Sequence, residues 1–251
     1  MHTMKIKLNR KLALALLIIV ILVLGVAAFC AFFDQAVIVR RNTLYHIVTS
    51  DKVVALTFDD GPSLEWTPKI LDVLNKYNVK ATFFMIGEHV LKYPEVARRV
   101  ALEGHEIGNH TFDHHVLVYY KPEELVQEIK KAEKIINETT NQKTVLFRPP
   151  KAWITPAEKL IIKKLGYKTI LWSLNSKDWV NFDDKYIVRY LVHHIKPGDI
   201  ILFHDSGGVF STEGGSRKET VNAISRLIKK LKDRGYKFVT VSELLRFERN
   251  K

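Results

Sequence analysis

The chain has one cysteine, Cys30, among 251 residues. It therefore carries no intramolecular disulfide framework and no thiolate cluster for zinc, so any metal site must be assembled from His, Asp and Glu. Beyond a single N-terminal segment it has no apolar run long enough to cross a bilayer, which excludes a multi-span transporter. Glycine and proline are sparse, at 12 and 8 residues, and follow no period, which excludes a collagen-like chain. There is no internal repeat and no low-complexity tract. With 47% apolar and 26% charged residues the chain is not a disordered one either.

What stands out first is the segment 12–33, an unbroken run of apolar and small residues. At ~1.5 Å per residue it is long enough to cross ~30 Å of hydrocarbon. Lys5, Lys7, Arg10 and Lys11 precede it with no acidic residue among them. The positive-inside rule then makes 1–11 a cytoplasmic basic tail, 12–33 a single-pass transmembrane anchor in the cell membrane, and everything after it extracellular. A cleaved secretory signal is the competing reading, with release of the domain. Such signals have apolar cores of ~7–15 residues and a small-residue cleavage site, and neither fits here. Residues 34–51 read as a linker and 52–245 as one catalytic-size domain, since about 200 residues suffice for a sizeable core. Without Lys5, Lys7, Arg10, Lys11 and Asp34 the folded part keeps a net charge of +9, which suits an exported domain steered toward anionic cell-wall polymers, although Lys229-Lys230-Leu231-Lys232 also fits a solvated helix face. Nucleic acid is not an expected partner outside the membrane.

From residue 52 on, short apolar runs alternate with helical periodicities. Strands are expected at 53–58, 81–86, 105–109, 144–147, 169–173, 199–203 and 237–241, mostly continuous in apolar character as parallel strands buried on both faces are. Helices are expected at 68–77, 94–103, 122–138, 156–165, 183–194 and 217–234. Proline opens several, and Gly104, Gly166 and Gly235 close three of them. The alternation predicts an α/β fold with a parallel sheet, either a barrel or a doubly wound sheet.

In such folds chemistry collects where strands end. The first strand runs into Asp59-Asp60-Gly61-Pro62, whose adjacent carboxylates point different ways, so one can bind a metal while the other serves as a base. Asp-Gly-Pro is also ordinary turn chemistry. The third strand runs into Asn109-His110-Thr111-Phe112-Asp113-His114-His115, where His110 and His114 can face one point and suit a divalent ion, with a carboxylate as third ligand. Arg148 stands before the rigid Pro149-Pro150 bend, and His204 ends the sixth strand ahead of Asp205. Asp59, Asp60, His110, His114, Arg148 and His204 thus come from four strand ends of one sheet.

Taken in order, Thr57-Phe58-Asp59-Asp60-Gly61, His110-Thr111-x-x-His114, Arg148-Pro149-Pro150, Asp178-Trp179 and Leu202-x-His204 resemble the five motifs of the polysaccharide deacetylases. This is the NodB-homology group, carbohydrate esterase family four. The resemblance implies a distorted (β/α) barrel, often seven-stranded, and metal-dependent removal of N-acetyl or sometimes O-acetyl groups from glycans. It implies that Asp60, His110 and His114 hold a divalent metal, usually Zn2+, with Co2+ or Mn2+ as alternatives. Asp59 would be the base, His204 the acid, and Arg148 the partner that keeps Asp59 ionised and oriented. The backbone N–H of Lys151 would serve the oxyanion, since Pro149 and Pro150 have none. Asp178 would orient His204, Trp179 would wall the sugar groove, and Leu202 would line the acetyl pocket. Trp66, Trp153 and Trp172 are expected in the core or on unassigned surface; His89, His105, His193 and His194 are expected to be structural or solvated.

The chain departs from the family pattern at three places. Lys151-Ala152 replaces an aromatic residue or Arg followed by Gly, Asn175 stands where an Asp is frequent, and His115 occupies a position that is often Pro. None of these removes a ligand, the base or the acid. With the inferred topology, the reading is a membrane-anchored N-deacetylase of a cell-wall glycan, peptidoglycan N-acetylglucosamine or N-acetylmuramic acid. The alternatives are an O-acetyl esterase on xylan, a chitin-oligosaccharide deacetylase and, from another class, a non-catalytic glycan-binding wall protein.

Overall fold

The computed structural model describes residues 10–33, 39–180, 183–208 and 211–248, with the side chains of the first helix through residue 25. Most of the expected basic tail and residues 34–38 of the expected linker lie outside the described residues. Helix α1 (Arg10–Phe33) carries the apolar run. Its large side chains from Leu12 to Leu24 stand 48% to 62% exposed, so over this stretch no face of it is buried against the domain. Among residues whose side chains are described, no helix is both long and apolar enough to cross a membrane.

The domain is a curled parallel sheet clothed in helices. Its elements are β1 (Val53–Asp59), α2 (Trp66–Lys76), β2 (Thr82–Met85), α3 (Gly87–Lys92), α4 (Pro94–Leu102), β3 (Glu106–Asn109), α5 (Pro122–Thr140), β4 (Leu146–Phe147), α6 (Pro156–Lys164), β5 (Lys168–Thr169), β6 (Leu174–Asn175), α7 (Asp184–His194), β7 (Ile200–His204), α8 (Lys218–Asp233), β8 (Lys237–Phe238) and α9 (Val241–Leu244). Hydrogen-bonded neighbours run β5-β4-β3-β2-β1-β7-β6, and β8 pairs with Val53 and Val54, the first residues of β1.

Strand alternation divides the core into layers. Val54, Leu56 and Phe58 of β1, with Ile201 and Phe203 of β7, face the layer beneath α2, α4, α7 and α8. Val53 and Ala55, with Ile200 and Leu202, face the barrel interior beside Phe84 and Trp172. The same period carries Thr57, Asp59 and His204 toward the interior. A third cluster of Leu117, Leu125, Ile129, Phe147, Ile154, Ile162 and Tyr167 lies under α5 and α6. Proline opens α4, α5 and α6, and Gly104, Gly166 and Gly235 adopt the left-handed backbone that stops the helices before them.

The expected barrel is present in a distorted form, with one strand more than expected. The run 169–173 does not form one strand: β5 lies at one end of the hydrogen-bonded order and β6 at the other, and residues 170–173 cross between them. The backbone there is engaged elsewhere. Leu171 N–H donates to Leu44 O at 2.8 Å, and the carbonyls of Ile170 and Leu171 accept from Arg148. Leu44 and His46, within the expected linker, form isolated bridges to Ile170 and Asp199 along this gap. Helix α3 has no counterpart among the expected elements.

Candidate active site

β1 lies between β2 and β7, and its last residue is where the site begins. Asp59 stands in register with Phe84 of β2 on one side and His204 of β7 on the other. It is buried, and a buried carboxylate requires partners. Arg148, immediately after β4, supplies them by reaching across the interior. Its Nη1 donates to Asp59 Oδ1 at 2.7 Å and to Thr57 Oγ1 at 2.8 Å, while Nε and Nη2 donate to the Ile170 and Leu171 carbonyls at 3.3 and 3.2 Å. The guanidinium is fully buried, with its carbon 4.0 Å from the centre of the Phe84 ring. Burial pulls it down from the usual arginine range, and Asp59 works against that pull. One oxygen of Asp59 is thereby clamped; the other, Oδ2, faces His110 Nε2 at 4.0 Å.

Asp60 lies beyond the strand end in the left-handed region, at φ 74°, which swings its side chain away from that of Asp59. Its Oδ1 lies 3.5 Å from His110 Nε2 and 3.2 Å from His114 Nε2. The donor atoms of Asp60, His110 and His114 fall within 4.8 Å of one another. His110 is oriented by its other nitrogen: Nδ1–H donates to the Arg148 carbonyl at 2.7 Å, which fixes the tautomer and leaves Nε2 as a lone-pair donor. Burial pushes His114 below the ordinary imidazole value against the pull of Asp60, which keeps the ring neutral. Burial opposes ionisation of Asp60, but His114 and His110 outweigh it and hold its carboxyl well below the usual carboxylate range. Two imidazole nitrogens and a carboxylate oxygen make a donor set that fits a divalent cation.

His204 is tethered by Asp178, from the turn after β6. Asp178 Oδ1 lies 2.8 Å from His204 Nδ1, and Asp178 Oδ2 accepts from the His204 backbone N–H at 2.9 Å. Ser176 and Thr220 hydroxyls complete the shell of the carboxylate, at 3.0 and 2.9 Å. Burial raises Asp178, but His204 and Arg217 prevail and leave it at about 2. Burial alone would lower His204; Asp178 overrides it, and the imidazole is raised above its ordinary value. With Nδ1 occupied, Nε2 is the nitrogen free to exchange a proton.

The remaining expected residues fall around this centre. Lys151 and Ala152 both take left-handed backbone, at φ 54° and 57°, which is why a glycine suits the second position. Trp179 is half-buried in the turn directly after Asp178. Leu202 is buried in the barrel interior, two residues before His204 on the same face of β7. Asn175 Oδ1 accepts the Lys177 N–H at 2.8 Å, capping the turn that presents Asp178. His115 is turned outward, its Nδ1 2.6 Å from Asp113 Oδ2.

Several supporting groups escape sequence reasoning. His89 is buried, and its Nδ1–H donates to the Asp60 carbonyl at 2.6 Å, supporting the ligand-bearing turn. Asp205 is buried beneath that turn; its Oδ2 accepts from Thr67 Oγ1 at 2.5 Å, its carbonyl accepts from Ser63 Oγ at 2.6 Å, and burial pushes its carboxyl up to about 7. Arg217, also buried, donates to the carbonyls of Ser206, Gly207 and Asp178 and so ties the turns after β6 and β7 together. Adjacency to His204 was the only available hint for Asp205. Arg217, between Ser216 and Lys218, gives none.

Comparison with known proteins places these observations in a family. Residues 46–170 match the family described as polysaccharide deacetylase. A peptidoglycan-N-acetylglucosamine deacetylase of Bacillus cereus is 40% identical over 206 residues, 81% of this chain and 93% of that one. A chitooligosaccharide deacetylase of Bradyrhizobium is 38% identical over 211 residues, 82% of this chain and 95% of that one. The crystal structure of the Bc1960 peptidoglycan N-acetylglucosamine deacetylase, in complex with an N-hydroxybenzamide, superposes with a TM-score of 0.76 at 36% identity, covering 81% of this chain and 92% of the other.

Proposed function

Because the chain belongs to the polysaccharide deacetylase family, and so to the hydrolases of non-peptide carbon–nitrogen bonds, we propose that it removes N-acetyl groups from the amino sugars of peptidoglycan, with N-acetylglucosamine the first candidate. The observation that carries this reading is the strand register. Asp59 and His204 are paired neighbours on β1 and β7, and the Asp60, His110 and His114 donors sit beside the unclamped oxygen of Asp59.

In this mechanism Asp60, His110 and His114 would hold the cation, zinc being the first candidate and cobalt or manganese the alternatives. When bound, it would supply Lewis acidity, polarising the acetyl carbonyl and acidifying water. Arg148 clamps Oδ1 of Asp59 and leaves Oδ2 to take the proton of the attacking water. The Lys151 N–H contributes to charge stabilisation on the carbonyl oxygen. His204, charged by virtue of Asp178, passes the proton on Nε2 to the sugar nitrogen as the carbon–nitrogen bond breaks. Acetate and a free amine leave; water has supplied one oxygen of the acetate, and Asp59 then releases its proton to solvent while His204 regains one, which closes the cycle.

Helix α1 supports a single-pass anchor with the catalytic domain on the outer side, where peptidoglycan lies. Its large apolar side chains from Leu12 to Leu24 stand exposed, and the basic residues stand on its N-terminal side. The identity shared with a chitooligosaccharide deacetylase favours chitin oligomers as the second substrate class. The test is acetate release from peptidoglycan, chitin oligomers and acetylated xylan, after chelation and after adding back zinc, cobalt or manganese. Metal-restored release from peptidoglycan above the others is expected. Release from xylan alone would replace the reading with an esterase, and no release from any would leave a glycan-binding protein.

A further inference from the structure

Residues 170–173 cross between the two ends of the hydrogen-bonded strand order, where regular pairing stops. Their buried backbone groups still require partners. The N–H groups of Ile170 and Ser173 donate to the Phe147 and Ile200 carbonyls of the flanking strands, at 2.8 and 3.1 Å. The carbonyls of Ile170 and Leu171 accept from Arg148 inside the barrel. The other bonds go to the chain ahead of β1. Leu44 donates its N–H to the Thr169 carbonyl at 3.0 Å and accepts from Leu171 N–H, while Arg40 Nη2 reaches the Trp172 and Ser173 carbonyls at 3.1 and 3.3 Å.

This strap is itself held along its length. Lys159 of α6 donates to the Val39 and Arg41 carbonyls at 2.8 and 2.7 Å. Thr43 closes a turn on the Arg40 carbonyl, and the Arg40 guanidinium carbon lies 4.7 Å from the centre of the Tyr45 ring. At the far end Ile47 N–H donates to the Gly198 carbonyl at 3.0 Å, and a Cβ on Gly198 would collide with the Ile47 carbonyl. Ile47 is buried in one cluster with Leu171 and Trp172, and Val39, Leu44 and Tyr45 pack against that cluster. The Trp172 ring lies 5.6 Å from the guanidinium carbon of Arg148. A flexible linker makes no such contacts.

We propose that residues 40–47 are a positioning part of the active site, which hold the crossing segment, and through it Arg148, in the place from which Arg148 clamps Asp59. The proposal rests on the deacetylase reading and extends that site into the expected linker. Its physical basis is the planarity of the guanidinium. The bonds of Nε and Nη2 to Ile170 and Leu171 fix the plane that sets Nη1 on Asp59. A crossing segment displaced by ~1 Å turns that plane, and a catalytic group misplaced by as much slows turnover by up to ~10²-fold. Arg40 is the strap residue that acts through its side chain, so substitution can remove its two bonds.

The test uses full-length, zinc-loaded protein in mild detergent, with Arg40→Met, which keeps the stem, and Arg40→Lys, which keeps a donor for both carbonyls. The first readout is solvent exchange of the Arg148 Nε–H proton by NMR, which needs no activity. Arg40→Met should speed it at least tenfold, Arg40→Lys should hold it near wild type, and the buried Nε–H of Arg217 should not change. On an N-acetylglucosamine hexamer Arg40→Met should lower kcat roughly tenfold, with KM within about twofold and zinc per chain unchanged. In an Arg148→Lys background the same substitution should change kcat less than about twofold, because the two residues act on one clamp. Unchanged exchange at Arg148, or equal acceleration at Arg217, would overturn the proposal, as would equal rate losses in both backgrounds. A wild type that releases no acetate would end the deacetylase reading, while the exchange rates still decide whether the strap positions Arg148.

Discussion

Asp178 and His204 show at the scale of single residues how burial and pairing set a proton's position. His204 is raised because Asp178 is ionised beside it, and Asp178 falls to about 2 because His204 and Arg217 are near. Asp178→Asn removes the charge that raises His204, so the protonated acid is lost at a lower pH. The alkaline limb of kcat/KM should move toward acid, with a rate loss of up to ~10²-fold at slightly alkaline pH. The linkage has two signs. His204, raised on folding, stabilises below its unfolded value of ~6.5, and that stability is lost as pH rises through the folded value. Asp178, depressed, stabilises above ~3.9 and loses this as pH falls toward about 2. The variant should therefore melt with a weaker acid dependence than wild type between about 4 and 2. An unmoved alkaline limb would remove Asp178 from its positioning role. Asp59, Asp60, His110, His114, Arg148 and His204 were legible because each adjoins a strand end in a recognisable motif. Thr57, His89 and Arg217 were not, because each gains its partner only through folding, from residues distant in sequence.

At the scale of elements, the turn after β1 is packed from below by the residue after β7. A Cβ on Gly61 would overlap the Asp205 carboxylate, which is held in place by Thr67. Gly61→Ala should therefore displace the Asp59-Asp60 turn, costing ~1–3 kcal/mol and lowering Tm by several degrees in thermal unfolding. Activity should fall further than the stability loss explains, since the turn carries two of the site's carboxylates. A variant with wild-type Tm would show that the turn has slack. The parallel strands β1, β2, β3 and β7 were readable from their apolar runs and lie within a residue of the expected bounds. The run 169–173 was not, because apolar character marks burial alike in a strand and in a crossing segment. Arg148 and Leu44 take the backbone groups a continuous strand would have used.

At the scale of the whole molecule, one barrel follows a helix whose large apolar side chains from Leu12 to Leu24 stand exposed. Deleting residues 1–33 should leave acetate release from soluble oligomers within about twofold, because among the described residues the core clusters draw nothing from α1. The full chain should sediment with membranes and the shortened one should not. A soluble full-length chain in cell fractionation would remove the anchor from the account. The barrel was foreseeable from the alternation of elements, while its open seam and the part residues 44–46 play along it depended on pairings that no local pattern encodes.

The central claim is that Asp59, clamped by Arg148, takes the proton of the attacking water beside a cation held by Asp60, His110 and His114. The most direct measurement is acetate release from peptidoglycan by wild type and Asp59→Asn, with zinc content determined on the same preparations. The account predicts a rate lower by ~10²–10⁴-fold with zinc per chain unchanged. A variant that holds its zinc and turns over at the wild-type rate would contradict it.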